Sequence, residues 1–432
     1  MSILKYSLLT VVVILALIMV LIGALSVTRG ATVRTVIARG DREGPPRVSD
    51  PLFPRTIELF TGTHIDAGNR VEILLNGEGT YPLLWKDLAS AKKTITVQMY
   101  YSQPGAVADT MAKYLAERAR AGVRVLLLLD TFGSQPLTKE WVSGLTAAGV
   151  RVAWLRPLKW YTLHRATQRS HVRVVVVDGR VGYTGGFGLA DYWLGDGLHE
   201  DQWRETNVRF HGPTVAGLQA AFASGWAETT GELLTGDVFF PSISFEDGGN
   251  VNAGLMHSLP TIGSTPAERF LALTIAGSRK SLYIANSYFI PNDDFCELLI
   301  LAAKRGVDVR VLTVSDKTDL KSTWYASRAL YEKLLEGGVK IYEYSPTMMH
   351  AKTIVVDGLW SSIGSMNFDN RSIAFNNEAQ IVALDAGVGT KMDEIFMNDL
   401  KYSQEMKLET FRKRPWTGKV LEWGAEKLRR VL

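Results

Sequence analysis

Cysteine is almost absent from this sequence of 432 residues, in which Cys296 stands alone. A single cysteine excludes an internal disulfide, which suits a reducing compartment. Strong charge of either sign is also lacking, because 48 basic and 44 acidic residues leave a formal charge of +4. That balance is too mild to indicate nucleic acid as a partner, and we expect none. The length exceeds that of one ordinary domain, and 46% hydrophobic residues can fill a large core.

Charge is missing altogether from Leu8 to Val27, which read LLTVVVILALIMVLIGALSV. About 20 apolar residues is the length that a membrane-spanning helix needs. The alternative is a cleaved signal peptide, whose apolar core is usually about 7–15 residues long. This run is longer, and Thr28-Arg29 is a poor cleavage context, so residues 1–29 are predicted to form one retained transmembrane anchor.

Basic residues are distributed unevenly around this run. Lys5 precedes it, and five arginines follow it: Arg29, Arg34, Arg39, Arg42 and Arg47. Cytoplasmic flanks are enriched in basic residues, so we expect a single-pass protein of the inner (cytoplasmic) membrane with the bulk of its chain on the cytoplasmic side.

One pattern of helices and strands occurs twice after a proline-containing linker at 30–60. RARAGVRVLLLLD (118–130) resembles AAKRGVDVRVLTV (302–314), and each reads as a helix closed by glycine before a buried strand. Strands that alternate with helices predict an α/β fold with a parallel or mixed sheet. We therefore predict two pseudo-symmetric halves, at 61–245 and 246–395.

Each half then reaches a strand that begins with a histidine. The two strands are SHVRVVVVDG (170–179) and MHAKTIVVDG (349–358). Residues i and i+2 of a strand share a face, so His171 points with Arg173, and His350 with Lys352. A lone strand histidine is usually structural, but two at matching positions of a repeat, each beside a cation, indicate function. Asp178 and Asp357 each precede glycine, so a hairpin-turn role and a functional role both remain open.

This arrangement suits phosphoryl transfer without a metal. One imidazole can attack phosphorus, and a second can protonate the leaving alcohol. Arg173 and Lys352 can neutralise the phosphate oxygens, and Ser365 and Asn367 can donate further hydrogen bonds. A metal is disfavoured because each histidine lies beside a cation and no Cys or His cluster accompanies them. We expect neither a metal nor a cofactor.

H-x-K-x4-D followed by G-S/G-x-N resembles the signature of the phospholipase D superfamily. The second copy matches it completely, with His350, Lys352, Asp357, Gly364, Ser365 and Asn367. YFIPND (288–293), SSIGSMNFDNRS (361–372) and WRETNVRFHGPTVAGLQAAFASGW (203–226) are similar to the bacterial cardiolipin synthase branch. The resemblance covers roughly residues 70–400. It implies a duplicated α/β/α sandwich whose two halves share one active site.

The resemblance also implies roles for single residues. His171 would be the nucleophile and His350 the general acid and base. Glu378 would orient His350, and Glu205 would orient His171; the alternative for both glutamates is surface charge. The implied catalytic set is His171, Arg173, Asp178, Glu205, His350, Lys352, Asp357, Asn367 and Glu378, with Arg173, Lys352, Ser365 and Asn367 on the substrate phosphate.

The first copy departs from this signature. Arg173 stands where lysine is expected, and Gly188 stands where asparagine is expected. Arginine still binds phosphate, but with a larger fork, and glycine supplies no side-chain donor. An active enzyme with a retuned site, an enzyme with another acceptor and a weakened enzyme are all compatible with these changes.

The C-terminal residues 396–432 are predicted to form a basic amphipathic tail. Lys419 and Lys427 flank one face of its helix, and Trp416 and Trp423 supply interface aromatics. Such a helix either lies on an anionic bilayer or packs on the domain's own core.

These features together predict a membrane-bound phosphatidyltransferase of cardiolipin synthase type. It would convert two phosphatidylglycerols, or one and another phospholipid, to cardiolipin and glycerol through a phosphohistidine. The alternatives are a phospholipase D hydrolase that gives phosphatidic acid, a nuclease of the superfamily and an inactive lipid-binding homologue. The sequence leaves the oligomeric state open.

Overall fold

The computed structural model describes residues 2–27, 33–37, 45–158, 160, 167–242, 249–261 and 263–429. The N-terminal helix α1 covers Ser2–Val27. Helix α2 (Leu52–Thr61) follows. Half 1 contains β1 (Asp66–Leu75), α3 (Asn76–Ser90), β2 (Thr94–Met99), α4 (Ala106–Arg120), β3 (Arg124–Asp130), α5 (Lys139–Ala147), β4 (Arg151–Leu155), β5 (Val174–Val177), β6 (Val181–Thr184), β7 (Thr206–His211) and α6 (Thr214–Thr230). Half 2 contains β8 (Val251–Ser258), α7 (Pro266–Gly277), β9 (Ser281–Asn286), α8 (Asp293–Lys304), β10 (Asp308–Val314), α9 (Lys321–Glu336), β11 (Lys340–Tyr344), β12 (Lys352–Val356), β13 (Trp360–Gly364), α10 (Asn370–Ala374), β14 (Glu378–Leu384), α11 (Ala386–Leu400), β15 (Ser403–Met406), α12 (Leu408–Arg412) and α13 (Trp416–Leu428).

The strands of the described ranges form one sheet that runs through both halves. Their order is β15-β11-β10-β9-β12-β13-β14-β8-β1-β7-β6-β5-β2-β3-β4. The outer strands β2, β3 and β4 are parallel, as are β9, β10 and β11, whereas β1 meets β8 antiparallel at the centre. This mirrored order confirms the predicted duplicated α/β fold.

Several strands of both halves end at one edge of this sheet, and the functional residues lie there. We call it the site edge, and define it as the edge at which β2, β3, β4, β9, β10 and β11 end. Val174 of β5 pairs with Gln98 near the end of β2, and Lys352 of β12 pairs with Asn286 at the end of β9. The segments that carry both histidines therefore enter the sheet at the site edge.

Aliphatic strands explain why the sheet is covered on both faces. In β5, Val174 to Val177 are all buried, and β3 carries four consecutive buried leucines. Alternate residues of such strands point to opposite faces, so each face needs a helical layer. Burying each of these side chains contributes about 1.5–3 kcal/mol, which fixes the strands that hold the site.

The predicted linker and tail are both partly built into half 2. Phe53 and Ile57 of α2 are buried in its core, with the Phe53 ring 5.1 Å from that of Trp360. Strand β15 pairs antiparallel with β11, and α13 packs on α9 with Glu422 and Ala425 buried. The boundaries at 60 and 396 therefore need correction, because α2 and β15 complete the core and the sheet. Residues 30–32, 38–44 and 430–432 of these segments lie outside the described residues.

The predicted anchor corresponds to α1. Its side chains are described for residues 6–21, and residues 1, 28 and 29 lie outside the described residues. In the part of the chain whose side chains are described, no helix is long and apolar enough to span a membrane. The transmembrane segment therefore stays a prediction.

Candidate active site

A cavity of about 270 Å³ lies at the site edge, and both halves line it. Half 1 contributes His171, Arg173, Tyr100, Tyr101, Trp193 and Trp203. Half 2 contributes His350, Asn367, Tyr288, Asp369 and Arg371, among others. The structure thus brings both predicted histidines, one predicted cation and Asn367 together around one space.

Each histidine is bonded to a glutamate of the other half. Nδ1 of His171 lies 3.2 Å from Oε2 of Glu378, and Nδ1 of His350 lies 2.5 Å from Oε2 of Glu205. The predicted pairing, Glu205 with His171 and Glu378 with His350, is therefore wrong. Both carboxylates are fully buried, so the alternative of surface charge is wrong as well.

Backbone pairing explains why the partners are exchanged. The amide N–H of His171 donates to the carbonyl oxygen of Asn377 at 2.9 Å, and that of His350 donates to the carbonyl oxygen of Arg204 at 2.7 Å. Asn377 and Arg204 directly precede the two glutamates. Each histidine segment therefore docks beside the strand start of the opposite half.

Burial controls the protonation of these pairs. It raises the pKa of the Glu205 and Glu378 carboxyls to about 7, and it lowers the pKa of both imidazoles well below the usual value. The cations Arg173 and Lys352 lower the imidazole pKa further. In the free site both imidazoles are therefore held neutral, as a nucleophile requires.

The two cations hold equivalent positions. Nη1 of Arg173 donates to the carbonyl oxygen of His171 at 2.7 Å, and Nζ of Lys352 donates to that of His350 and, at 2.8 Å, to Oγ of Ser287. Burial lowers the pKa of Lys352 to about 7 and also lowers that of Arg173. Arginine therefore keeps the backbone contact that lysine makes in half 2.

Ser365 and Asn367 take different positions. Oγ of Ser365 donates to Oε2 of Glu378 at 2.5 Å, so this hydroxyl supports the carboxylate, contrary to its predicted contact with phosphate. Asn367 lines the cavity, and its Oδ1 has no hydrogen-bond partner among the described residues. Of these two predicted phosphate ligands, only Asn367 faces the cavity.

Glycines 186 and 188 make the surroundings of Glu205 differ from those of Glu378. A Cβ at Gly188 would lie 2.7 Å from the Trp193 ring and 2.8 Å from the carbonyl oxygen of Tyr101. A Cβ at Gly186, the counterpart of Ser365, would lie 2.3 Å from Oε2 of Glu205. Nε1 of Trp193 donates to that same oxygen at 3.3 Å. In half 1 the indole of Trp193 therefore takes the place that the Ser365 hydroxyl and the Asn367 amide have in half 2.

Aromatic rings enclose both imidazoles. The rings of Trp193 and Trp203 lie 5.4 and 4.9 Å from that of His350, and the Tyr100 ring lies 4.8 Å from that of His171. The sequence prediction included none of these rings. Aromatic residues that follow short strands look the same in the sequence whether their rings line a cavity or pack in the ordinary core.

Asp369 and Arg371 were also missed, although both lie within the segment SSIGSMNFDNRS. Each lines the cavity, and Oδ1 of Asp369 accepts from the backbone N–H of Ser372 at 2.7 Å. Burial raises the pKa of Asp369 to about 7. Arg371 is thus a further cation beside the histidines, and its spacing of four residues from Asn367 could have indicated it.

Asp178 and Asp357 do not reach the cavity. Each has a positive φ, 53° and 54°, in the turn that follows its strand. The carboxylate of Asp357 accepts from the backbone N–H groups of residues 279–281 at 2.7–3.0 Å, and that of Asp178 accepts from those of residues 92–94 at 2.7–2.9 Å. Seven extended residues, roughly 20 Å, separate each from its histidine. Their inclusion in the catalytic set is corrected to a structural role at the turn.

In the ranges that the structure describes, no group of three or more His, Cys, Asp or Glu side chains could hold a metal ion.

Comparisons with known proteins identify the family and the fold. The family model "Cardiolipin synthase, PLD-like domain" matches residues 84–226 and 271–400. A cardiolipin synthase of Geobacillus kaustophilus is 33% identical over 365 residues, which cover 84% of this chain and 72% of that protein. Cardiolipin synthase 2 of Bacillus anthracis is 32% identical over 372 residues, which cover 86% and 72%. The crystal structure of phosphatidylserine synthase from Haemophilus influenzae shares the fold, with a TM-score of 0.67 at 12% identity over 88% of this chain and 100% of that one. This chain therefore belongs to the cardiolipin synthase family of phospholipase D-like proteins.

Proposed function

We propose that this protein is a phosphatidyltransferase that makes cardiolipin from two phosphatidylglycerols and releases glycerol through a phosphohistidine. One observation carries the proposal. Two imidazoles from opposite halves line one cavity, and each is bonded to a buried carboxylate of the other half. A nucleophile and a separate proton donor are what a double displacement at phosphorus needs.

In the first step, Nε2 of His171 attacks the phosphorus of phosphatidylglycerol. The bond from phosphorus to the glycerol oxygen breaks, and His350 donates a proton to that oxygen. The bond between Nδ1–H of His171 and Glu378 leaves Nε2 free to attack. The phosphodiester anion and Glu205 favour the imidazolium form of His350 once substrate is bound.

In the second step, the hydroxyl of another phosphatidylglycerol attacks the phosphohistidine. His350 accepts the hydroxyl proton, the bond from phosphorus to His171 breaks, and cardiolipin leaves. Arg173 and Arg371 line the cavity beside the phosphate, and buried Lys352 adds positive charge next to it. Cations held in a site with little water stabilise the charge on the transferring group.

Transfer to a lipid hydroxyl, rather than to water, is supported by the cavity wall. Trp193, Trp203, Tyr100 and Tyr288 cover much of it with aromatic surface. Three of these rings lie against the two imidazoles and limit the space for water beside them, although the rest of the lining is mostly polar. A hydrolase would use the same two histidines and release phosphatidic acid.

Attachment to the membrane is assigned to α1, with the catalytic domain on the cytoplasmic side. Between Leu8 and Leu21, the large apolar side chains of α1 are 45–74% exposed. Exposed apolar surface of this extent is stable only when another apolar phase covers it. Reporter fusions at the C-terminus test the orientation.

The decisive experiment uses the purified full-length chain in phosphatidylglycerol vesicles with a chelator present. Cardiolipin and glycerol in equal amounts are expected, and His171→Ala and His350→Ala provide the controls. Phosphatidic acid without cardiolipin would instead identify a hydrolase. A wild type without turnover, indistinguishable from both variants, would overturn the proposal.

A further inference from the structure

Exposed apolar side chains surround the cavity at the site edge. Phe132 follows β3 and is 56% exposed, Leu158 and Trp160 follow β4 and are 50% and 84% exposed, and Leu320 follows β10 and is 45% exposed. We call these four residues the apolar rim. Loops that follow parallel strands gather at one edge, which is where ligands enter sheets of this kind.

Leu320 and the sequence neighbours of Phe132 and Leu158 connect the rim to the cavity. A Cβ at Gly133, beside Phe132, would lie 1.9 Å from the carbonyl oxygen of Tyr100, whose ring contacts His171. Leu320 itself lines the cavity. Near Leu158, Nη2 of Arg156 donates to Oδ1 of Asn377 at 3.3 Å. Leu320 therefore belongs to the cavity wall, and Phe132 and Leu158 lie one and two residues from positions that contact the wall or its neighbours.

The chain from α1 joins the domain at this same edge. Val33 and Val36 pack against the core of half 2, and Nε of Arg34 lies 3.9 Å from Oδ2 of Asp294 in the first turn of α8. Helix α8 follows β9, so its first turn lies at the site edge. Just before it, Ile290 pairs with Asp369 of the cavity wall. The segment at 33–36, which follows α1 in the sequence, and the cavity thus share one side of the molecule.

We infer that the apolar rim inserts into the headgroup region of a phospholipid bilayer, so that anionic lipids reach the cavity without leaving the membrane. The inference rests on the proposed function, because it assumes a lipid substrate. Acyl chains would stay in the bilayer while the headgroup phosphate enters between the halves. Lys317 and Lys321 follow β10 at the same edge and complement an anionic surface.

The exposed apolar surface of α13 begins toward the opposite edge and reaches the site edge only at its last turn, where Arg429 pairs with Asp293 at the start of α8. Arg412 and Arg414, which precede α13, are paired with Glu332 near the end of α9. Because Leu320 and the start of α9 lie at the site edge, Trp416 lies toward the opposite edge. Trp416 is 75% exposed, so it offers a control of similar exposure and chemistry.

The unreactive native cysteine allows a direct test of depth in the membrane. Cys296 is buried, and burial raises its pKa to about 12, so an added surface cysteine is labelled selectively. We would prepare Phe132→Cys and Trp160→Cys, with Leu233→Cys and Trp416→Cys as controls; Leu233 neighbours Glu232, which pairs with Arg151 at the start of β4. Each full-length protein, carrying a bimane label, is placed in phosphatidylglycerol vesicles with brominated acyl chains.

Labels at positions 132 and 160 should be quenched roughly twofold or more beyond those at 233 and 416, because interfacial groups lie about 5–10 Å into the headgroup and acyl boundary. Equal quenching at all four positions, or stronger quenching at 416, would overturn the inference. Turnover of wild type in detergent-dispersed phosphatidylglycerol is measured in parallel. Its absence would count against the proposed function, whereas the quenching pattern reports only on the surface.

A second variant pair examines the consequence for catalysis. Phe132→Gln with Trp160→Gln should lower the ratio of vesicle activity to detergent activity about tenfold, because apolar surface that would enter the bilayer is replaced by amides. Leu233→Gln with Trp416→Gln should leave that ratio unchanged. An unchanged ratio in the first pair would contradict a role of the rim in lipid access.

Discussion

Nδ1 of His350 lies 2.5 Å from Oε2 of Glu205, although 145 residues and the boundary between the halves separate them. The second pair, His171 with Glu378, is exchanged in the same way over 207 residues. Each half therefore supplies a histidine whose orienting carboxylate belongs to the other half. Neither half contains a complete catalytic pair, so the active site requires both halves of the sheet.

Replacing one carboxylate should disturb only the histidine of the opposite half. In Glu205→Gln the His350 imidazolium loses its charged partner, and turnover should fall roughly 10²–10⁴-fold, as when the carboxylate that orients a catalytic histidine is lost. Imidazole ¹⁵N NMR of the solubilised protein should show a changed tautomer or pKa at His350 and an unchanged His171.

Glu378→Gln is the matched control and should give the reverse NMR pattern. A general structural defect would alter both rings in both variants. If Glu205→Gln altered His171 and left His350 unchanged, the crossed arrangement would be wrong.

The turn aspartates should matter for stability and not for chemistry. Asp357→Ala removes the acceptor of three backbone N–H groups and places alanine at a φ of 54°. The free energy of unfolding should fall by about 1.5–3 kcal/mol, the range for hydrogen bonds to a charged group. Asparagine tolerates this backbone conformation and keeps one acceptor oxygen, so Asp357→Asn should lose less. Urea unfolding measures both, and a loss of turnover per folded molecule without a loss of stability would contradict this role.

The repeat and the two histidines could be predicted because they are properties of short segments. SHVRVVVVDG and MHAKTIVVDG share the same alternation, so their matching places on the sheet follow from strand geometry. The partners of His171 and His350 could not be predicted in this way. They depend on how two distant segments dock side by side, and the separation of each glutamate from either histidine along the chain carries no such information.

Two other predictions differ from the structure because of features at single positions or in short segments. The sequence of β15, SQEM, is short and polar, as suits an edge strand, so it gave no hydrophobic signal that would extend half 2 beyond residue 395. In the sequence Gly188 reads as the loss of a donor, because nothing in the sequence places Trp193 beside it. Only the structure shows that the indole fills the space that a side chain at 188 would need.

The rate should depend on pH because the site needs a positively charged Lys352 and negatively charged Glu205 and Glu378. Burial lowers the pKa of Lys352 to about 7, so its positive charge is lost as pH rises above that value. Burial raises the pKa of Glu205 and Glu378 to about 7, so their negative charge is lost as pH falls below it. The profile of kcat/KM, which reports the free enzyme, should therefore peak near pH 7.

Lys352→Arg separates the two limbs of this profile. A guanidinium stays charged above neutrality, so the alkaline limb should move to higher pH while the acid limb remains. A profile that is flat around pH 7, or an alkaline limb unchanged by arginine, would show that Lys352 does not control the rate in this range.

Restoring the asparagine that the family signature expects at position 188 should harm this enzyme. A Cβ there lies 2.7 Å from the Trp193 ring, so Gly188→Asn displaces the indole that donates to Glu205, at an overpacking cost of about 1–3 kcal/mol and a loss of roughly tenfold or more in turnover. Trp193→Phe alone removes the indole N–H that donates to Glu205, and its loss of turnover measures the contribution of that hydrogen bond. The double variant Gly188→Asn with Trp193→Phe relieves the contact with the indole but keeps the one with the carbonyl oxygen of Tyr101, 2.8 Å from the same Cβ, so its activity and thermal midpoint should exceed those of Gly188→Asn without reaching those of the wild type. If Gly188→Asn matched the wild type, or the second change gave no recovery, the coupling between these two positions would be refuted.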